Sequence, residues 1–389
     1  MEDTKLQMKL YQYLGSSNAN SYGVSSSIRG LPTRRRSGSA KCLFEAWLFE
    51  MNTIRTYRIP FGDLRVVLED CLRPRGFDTD RAERCARIFA ENSLVGVASH
   101  GLNRFPRFLS WIERGWIAPA QTPQYVASFG SLERWDGRLG PGPLNAEDCM
   151  SRAMEIANEK GVGVLALRNT NHWMRAGTYA WQAADAGFVG ICFTNTSPNL
   201  PPWGSSQPKL GNNPLAVSIP RSNGRHVLFD GAMSQFSYGA LDTAARDGKT
   251  LPVPGGFKRT GELTDDPREI LESRRALPIG FWKGAGLSLV LDLLATSLAA
   301  GCSTRDLGTQ AAEYGVSQVF AAFSRSLIDA PALEQIERTL VDLHTARTDS
   351  ELSVRYPGEH LLTIRAENLR DGVPVDEAIW EKVKRLASE

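Results

Sequence analysis

The sequence predicts an α/β fold, a mixed sheet with flanking helices, and three observations lead there. Apolar residues recur at helical spacing in several stretches, as at Ala82, Cys85, Ile88, Phe89 and Leu94. Short apolar runs such as 162–167 and 189–193 alternate with those stretches and read as buried strands. The one match to the dinucleotide fingerprint G-x-G-x-x-A, Gly161 to Ala166, has a predicted helix before it and a strand after it. That order is the reverse of the one that brings a pyrophosphate to a helix N-terminus, so any dinucleotide site here is not of the Rossmann type.

The elements follow in order. Residues 61–72 form a first helix, closed by Arg73-Pro74-Arg75-Gly76. Asp78 and Asp80 offer N-caps for a second helix that ends just before His100. A third helix covers 105–114, and short strands occupy 124–135. A helix over 146–160 stops at Gly161, a good C-cap, and 162–167 is a buried strand. A helix then runs through Ala183, with strands at 189–193, 215–219 and 227–229. A long helix spans 282–300, a strand 318–323, and helices 332–347 and 375–387 finish the chain. The expected parts are a disordered extension over 1–50, a helical part over 51–130, an α/β part over 131–330, and a C-terminal helical part over 331–389 that packs back on the first. Residues 15–39 are rich in Ser, Gly and Asn, which buries too little apolar surface to repay ordering, so Met51 reads as the functional start.

Composition narrows the class. At 389 residues, 42% hydrophobic and 23% charged, the chain is of an ordinary globular type that can bury a large core. A net charge of +2 gives no reason to expect nucleic acid or an anionic membrane as a partner. The most apolar stretch, 285–300, contains Asp292 and is short of the roughly 20 residues a span requires, so it reads as a buried helix. The six cysteines show no C-x-x-C pair and read as buried free thiols of a cytoplasmic protein.

Two polar clusters carry chemistry. Ser99-His100-Gly101-Leu102-Asn103-Arg104-Phe105-Pro106-Arg107 places an imidazole, an amide and two guanidinium groups together. Arg168-Asn169-Thr170-Asn171-His172-Trp173-Met174-Arg175 repeats the theme. Reduction of a 2-keto acid needs a proton donor for the ketone oxygen and a cationic fork for the carboxylate, and these clusters hold both. His100 and His172 as metal ligands have no H-x-x-x-H, H-E-x-x-H or Cys/His spacing behind them, and no metal is expected. Phe281-Trp282-Lys283-Gly284-Ala285-Gly286 opens the long helix, where glycines either admit a phosphate to backbone N–H groups or permit close packing. Asp230, at a strand end before Gly231, either lines a pocket or forms an Asp-Gly turn.

Longer stretches add a resemblance. SHGLNRFPRF from Ser99, ALRNTNHWMRAG from Ala166, QAADAGFVGIC from Gln182, PPWG from Pro201, FSYG from Phe236, LPIGFWKGAG from Leu277 and EYGVSQVF from Glu313 are similar to the malate/L-lactate dehydrogenase family that lacks a Rossmann fold. The likeness covers nearly all of 51–389. It implies a mixed sheet with flanking helices and a homodimeric, NADH-dependent 2-keto reductase with a small sugar acid as substrate, NADP staying open. It places the proton donor on His100. Cofactor contacts fall on His226, Val227, Leu228, Phe229, Asp230, Gly231 and Ala232, on Trp282 and Lys283, and on Gly358, Glu359 and His360. The 226–232 segment keeps only the aspartate of the family's pattern, and Gly358-Glu359-His360 stands where the family has Gly-His-Glu.

The chemistry then assigns expected roles. Arg104, one helical turn past His100, suits the substrate carboxylate because a planar guanidinium binds it with two parallel hydrogen bonds. Asn171 and His172 are expected to bond sugar-acid hydroxyls or polarise the ketone, and Asp230 to hold the histidine or the nicotinamide carboxamide. Trp173 and Trp203 lean toward a wide pocket and a larger acid, with malate, lactate, ureidoglycolate, sulfolactate or a cyclic imino acid as other substrates. A metal hydrolase and a non-catalytic binding protein are the readings outside this class.

Overall fold

A computed structural model describes residues 56–347 and 353–388 of the chain. The extension over 1–50 and the start at Met51 lie outside the described residues.

The N-terminal helices form where the apolar spacing places them. Helix α1 is Phe61–Leu72 and α2 is Thr79–Leu94, which Asp78 caps by accepting the Arg81 N–H at 2.9 Å. Helix α3, Phe105–Glu113, joins them in a core of Leu64, Leu68, Phe89, Phe105 and Phe108. Phe89 lies edge-on to Phe105 with ring centres 5.0 Å apart. The far end of the chain closes this core. Strand β1 (Thr56–Ile59) pairs antiparallel with β11 (Val373–Asp376), and Trp380 and Val383 of the last helix, α12 (Glu377–Ser388), pack among the same residues. The expected helix over 375–387 is thus shorter at its start. Val373 and Val375 alternate inward with Pro374 between them, a strand pattern that also disfavours helix at Val373.

The central sheet has seven strands. In spatial order they are β2 (Gln124–Phe129), β3 (Leu132–Asp136), β4 (Val162–Thr170), β10 (Val316–Phe323), β5 (Val189–Thr194), β6 (Leu215–Ile219) and β7 (Val227–Gly231). Only β3 and β4 run parallel, so the sheet is mixed. The sheet begins at Gln124, a few residues before the boundary read from the sequence at 131.

Helices α4 (Gly142–Lys160) and α5 (Ala176–Asp185) cover one face of the sheet through Ala146, Met150, Ala153, Tyr179 and Ala183. Gly161 ends α4 at φ 84° and the strand follows directly, so the G-x-G-x-x-A segment is a helix stop. Its second glycine has a packing reason: a Cβ on Gly163 would lie 2.0 Å from the Ala153 carbonyl oxygen. The helix expected to continue from His172 begins only at Ala176, because Met174 sits at φ 68° and breaks it.

Helix α8, Trp282–Ala299, covers the opposite face, with Ala295 and Ala299 against Ala166 and Val319. The expectation that it is buried holds for one side only: Leu287, Val290, Leu293 and Leu294 are exposed. A helix that is apolar all round gives no periodic signal for which side is covered. No helix among the described residues is long and apolar enough to cross a membrane. The remaining elements are the β8 (Gly256–Phe257) and β9 (Leu263–Thr264) pair and helices α6 (Tyr238–Arg246), α7 (Pro267–Ser273), α9 (Thr304–Leu307), α10 (Ala330–His344) and α11 (Leu361–Asp371). Of these only α10 was anticipated from the sequence.

The glycine packing can be measured. Gly163→Ala forces α4 off β4, and its denaturation midpoint should show a loss of about 1–3 kcal/mol. Gly62→Ala in α1, where a Cβ would meet nothing within 4 Å, should instead gain about 0.5–1 kcal/mol. Equal behaviour of the two variants would remove the close-approach argument.

Candidate active site

The first cluster leaves α2 in two short helical turns, Ala98–His100 and Leu102–Arg104. Local bonds hold it: Asn92 donates to the His100 carbonyl at 3.0 Å, Thr178 on α5 donates to Asn92 at 2.7 Å, and the Leu102 N–H donates to the Ser93 hydroxyl at 2.8 Å. Gly101 is required by this packing, since a Cβ there would lie 2.2 Å from Ser93 Oγ. Gly239 at the start of α6 likewise leaves room for Ser99, whose hydroxyl lies 3.1 Å from His100 Nδ1.

The two histidines meet. The rings of His100 and His172 stack with centres 6.0 Å apart and planes 17° apart. His172 Nδ1 accepts the Met174 N–H at 3.0 Å, so a neutral His172 carries its proton on Nε2. Burial pushes the His172 pKa well down, and Arg104, His100 and Arg107 add to it. His100 is pushed down to about 4 by burial first, then by Arg104 and Arg175. Both imidazoles are therefore neutral at pH 7. Among the described residues no three His, Cys, Asp or Glu side chains gather as a metal-ligand set.

Arg104 faces this pair, half-buried, and its guanidinium makes no hydrogen bond or ion pair among the described residues. Burial and Arg107 lower its pKa, while Glu313 and Asp242 oppose that from a distance. Arg175 is held differently. Its Nε donates to Asp230 Oδ2 at 2.9 Å, with the two side chains 10% and 21% exposed. Asp230 thus meets an arginine, where the sequence expected it to hold the histidine or the nicotinamide carboxamide.

Asn171 is tied mainly to the backbone, with its Oδ1 buried and without a hydrogen-bond partner among the described residues. Its amide N–H groups donate to the carbonyls of Trp116, Leu139 and Gly140, so they pin two loops and are not offered to a ligand. Trp173 is 1% exposed and packs on Tyr179 and Phe320 in the sheet core. Arg175 and Glu313 received no role from the sequence. Both stand within the stretches that carried the resemblance, but their approach to His100 and Arg104 is made only by the fold.

The three expected cofactor segments converge on edge strand β7. The Leu228 N–H donates to the Pro357 carbonyl at 2.9 Å, and a Cβ on Gly358 would lie 2.9 Å from the Leu228 nitrogen. On the other side, Ile279 N–H donates to the Met233 carbonyl at 3.0 Å, and Ser234 bridges Pro278 just before Trp282. Not every side chain there is available. His226 accepts the Arg221 N–H on Nδ1 and meets Asp185 on Nε2, so any ligand contact falls to its backbone. Glu359 pairs with His344. The mouth of α8 is no open anion nest: the N–H groups of Lys283, Gly284 and Ala285 bond carbonyls of the preceding turn, and Gly284 is needed because a Cβ would lie 2.3 Å from the Ile279 oxygen. What remains fits a dinucleotide. Phe229 and Trp282 expose aromatic faces, Lys283 an ammonium, and His360 Nε2 is buried without a hydrogen-bond partner.

A part-buried guanidinium without a hydrogen-bond partner among the described residues, beside a buried imidazole on a mixed sheet, is suited to an anionic substrate with a carbonyl group. The chain belongs to the malate/L-lactate dehydrogenase family, whose pattern matches residues 59–384. It is 43% identical to the 2,3-diketo-L-gulonate reductase of Escherichia coli O127:H6 over 333 residues, covering 85% of this chain and 100% of that protein. Among solved structures, a dehydrogenase from Sinorhizobium meliloti is 28% identical, covering 86% of this chain and 99% of that one, with a TM-score of 0.78. The delta1-piperideine-2-carboxylate reductase from Pseudomonas syringae pvar. tomato is 26% identical over 85% of this chain and 99% of that one, with a TM-score of 0.75.

The role of Asn171 has a direct test. Asn171→Leu should lower unfolding stability by about 1–3 kcal/mol, because the carbonyls of Trp116, Leu139 and Gly140 lose their donor. A variant of unchanged stability with only a raised KM would restore Asn171 to the substrate.

Proposed function

We propose that this chain reduces the C2 ketone of 2,3-diketo-L-gulonate to 3-dehydro-L-gulonate with NADH, as a homodimer in the cytoplasm. The observation that carries the reading is Arg104, a half-buried guanidinium without a hydrogen-bond partner among the described residues, at the end of the short turn that follows His100. The name of the curated relatives supports the choice of substrate. Buried thiols at Cys85, Cys149 and Cys192 suit a reducing compartment.

Arg104 binds the substrate carboxylate through two parallel hydrogen bonds and so orients the neighbouring ketone. The ketone oxygen lies toward the stacked imidazoles, where His172 donates a hydrogen bond from Nε2–H and polarises the carbonyl. A nicotinamide cofactor, which Phe229, Trp282, Lys283 and His360 would hold beside β7, would supply the hydride that the carbonyl carbon takes up. His100 gives its proton to the oxygen that gains the electron pair, and the product is the C2 alcohol. Arg175 stays fixed by Asp230 and keeps a second positive charge near the developing oxyanion.

The charge balance explains how a histidine with a pKa of about 4 acts as an acid. A carboxylate on Arg104 cancels one of the two cations that repel the imidazolium, so the His100 pKa rises and a proton is taken up as substrate binds. In the free enzyme the protonated fraction falls about tenfold per pH unit above that pKa. Between pH 5.5 and 8, kcat/KM for ketone reduction should fall with this slope, and His100→Ala should lose about 10²–10⁴-fold in kcat. NADH oxidation followed at 340 nm gives both. A flat pH profile, or turnover retained in His100→Ala, would remove His100 as the donor.

The dimer rests on α8. Leu287, Val290, Leu293 and Leu294 recur along one side of it. Arg134 continues this surface, bonding the Leu298 carbonyl at 2.8 Å while lying over the exposed Phe129 ring of β2. An apolar area of this kind on a lone subunit marks a protein interface. Light scattering should find a dimer for the wild type and a monomer for Val290→Asp/Leu294→Asp. A monomeric wild type refutes the assignment.

A further inference from the structure

The ring of His100 is bounded on three sides. One face stacks on His172, with ring centres 6.0 Å apart. Its Cε1 lies against the start of α6, where a Cβ on Gly239 would come within 3.7 Å. On the third side Nδ1 meets the Ser99 hydroxyl at 3.1 Å. Nε2 has no hydrogen-bond partner among the described residues and is the nitrogen left for a ligand.

The other polar groups nearby are already engaged. Asn92 donates to the His100 carbonyl, Thr178 donates to Asn92, and the Ser93 hydroxyl donates to the Phe89 carbonyl while accepting the Leu102 N–H. Asp230, the carboxylate expected to hold a histidine, is on Arg175. Ser99 is therefore the side chain that the fold puts on Nδ1, and Gly239 leaves room for it. A hydroxyl there differs from a carboxylate. It accepts an Nδ1–H, but it has no charge with which to hold the ring in its imidazolium form. The charges on the ring come from Arg104 and Arg175, with Asp230 on the second and Asp242 of α6 acting on the first. In an imidazole, the bond made by one nitrogen decides what the other offers.

Resting on the proposed reduction of a 2-keto acid, we propose that Ser99 is a positioning residue of that reaction, the acceptor on Nδ1 that aims His100 Nε2 at the ketone oxygen. The imidazolium donates its Nδ1–H to Ser99 Oγ and its Nε2–H to the ketone. As the carbonyl carbon takes up the hydride, the Nε2 proton passes to the oxygen and the alcohol forms. The ring is left neutral, with its second proton on Nδ1 and still bonded to Ser99. A proton from water returns to Nε2 after the product leaves. Because Ser99 is uncharged, His100 stays neutral until a carboxylate reaches Arg104; a carboxylate in place of Ser99 would keep the ring charged in the free enzyme.

The test is Ser99→Ala, which removes the acceptor and leaves Arg104 in place. With 2,3-diketo-L-gulonate as substrate, kcat should fall about 10–100-fold while KM stays within about twofold. The solvent deuterium isotope effect on kcat should rise, because transfer of the Nε2 proton becomes the slow step. Gly239→Ala, whose Cβ would lie 2.8 Å from Ser99 Cβ, should act in the same direction with the hydroxyl still present. A fall in kcat with an unchanged isotope effect would mean that Ser99 only fills space, and would overturn the proposal. Wild-type kcat in Ser99→Ala would do the same. Failure of the underlying reading looks different: His100→Ala turns over as well as the wild type, or no 2-keto acid is reduced. Proton uptake on binding of oxamate, an unreactive 2-keto acid analogue, then decides the role of Ser99, measured by calorimetry in buffers of unlike ionisation heat. Uptake that drops by about half or more in Ser99→Ala keeps the pairing; equal uptake in both proteins removes it.

Discussion

A set of buried amides at the ends of β3, β4 and β10 is the constraint on which the site depends. Asn145 donates to the Gly137 carbonyl and to Thr170, Asn171 donates to the carbonyls of Trp116, Leu139 and Gly140, and Gln318 donates to the carbonyl of Asn171. The loop they hold is strained, with Arg138 at φ 51° and Leu139 at φ 54°. It must also lie close: a Cβ on Gly142 would come within 2.3 Å of the His172 carbonyl oxygen. Such a loop keeps its shape only if its carbonyls find donors, because in a poorly hydrated interior each missing bond costs the full desolvation of the group. The position of the His172 ring is therefore set by amide N–H groups spent on the protein's own oxygens.

The same interior gives the site its electrical character. Two guanidinium groups lie near His100, and only Arg175 has a carboxylate on it. Burial first, and then that surplus, keeps the His100 imidazole neutral, and under the proposed function an incoming carboxylate offsets the second of these. Under the proposed function the cation surplus favours an anionic substrate and couples its arrival to protonation of His100. Pairing Arg175 with Asp230 matters here, since two free guanidiniums would bind any dianion indiscriminately. Asp230 acts through Arg175, and its place beside Gly177, where a Cβ would lie 2.5 Å from Oδ2, keeps that pair on α5.

Much of the fold was legible because it is written in local periodicity. Helix α2 and strands β4, β5 and β6 announce themselves through neighbours a few residues apart, and Asp78 caps where its side chain indicates. The β1–β11 pair was not legible, since Thr56 meets Asp376 across almost the whole chain. Helix α11 was missed because Asn368 is its one buried residue, so it shows no apolar stripe. In the site, His100, Arg104 and His172 stood out by clustering and the fold brings them together. Asn171 stood in the same cluster and points away, since adjacent residues on an irregular segment share no face. The partner of Asp230 and the approach of Glu313 are tertiary facts, which spacing along the chain does not encode.

A mixed sheet also changes where a dinucleotide can lie. In an all-parallel sheet the strand ends and helix N-termini gather at one edge, and phosphate binding follows from that geometry. Here five of the six strand pairings are antiparallel, so no such gathering exists. The amides at the mouth of α8 are turned inward as well. What the fold provides instead is the outer side of β7, whose Leu228 N–H donates to the Pro357 carbonyl and so brings the 357–360 turn alongside. Segments far apart in sequence can be laid along an edge without helix dipoles, provided the backbone comes close, and Gly358 permits that approach. Recognition at such an edge depends on exposed rings and a single lysine. Those few side chains carry no common fingerprint, so the glycine-rich motif in this sequence marks a helix stop while the edge proposed for the cofactor carries none.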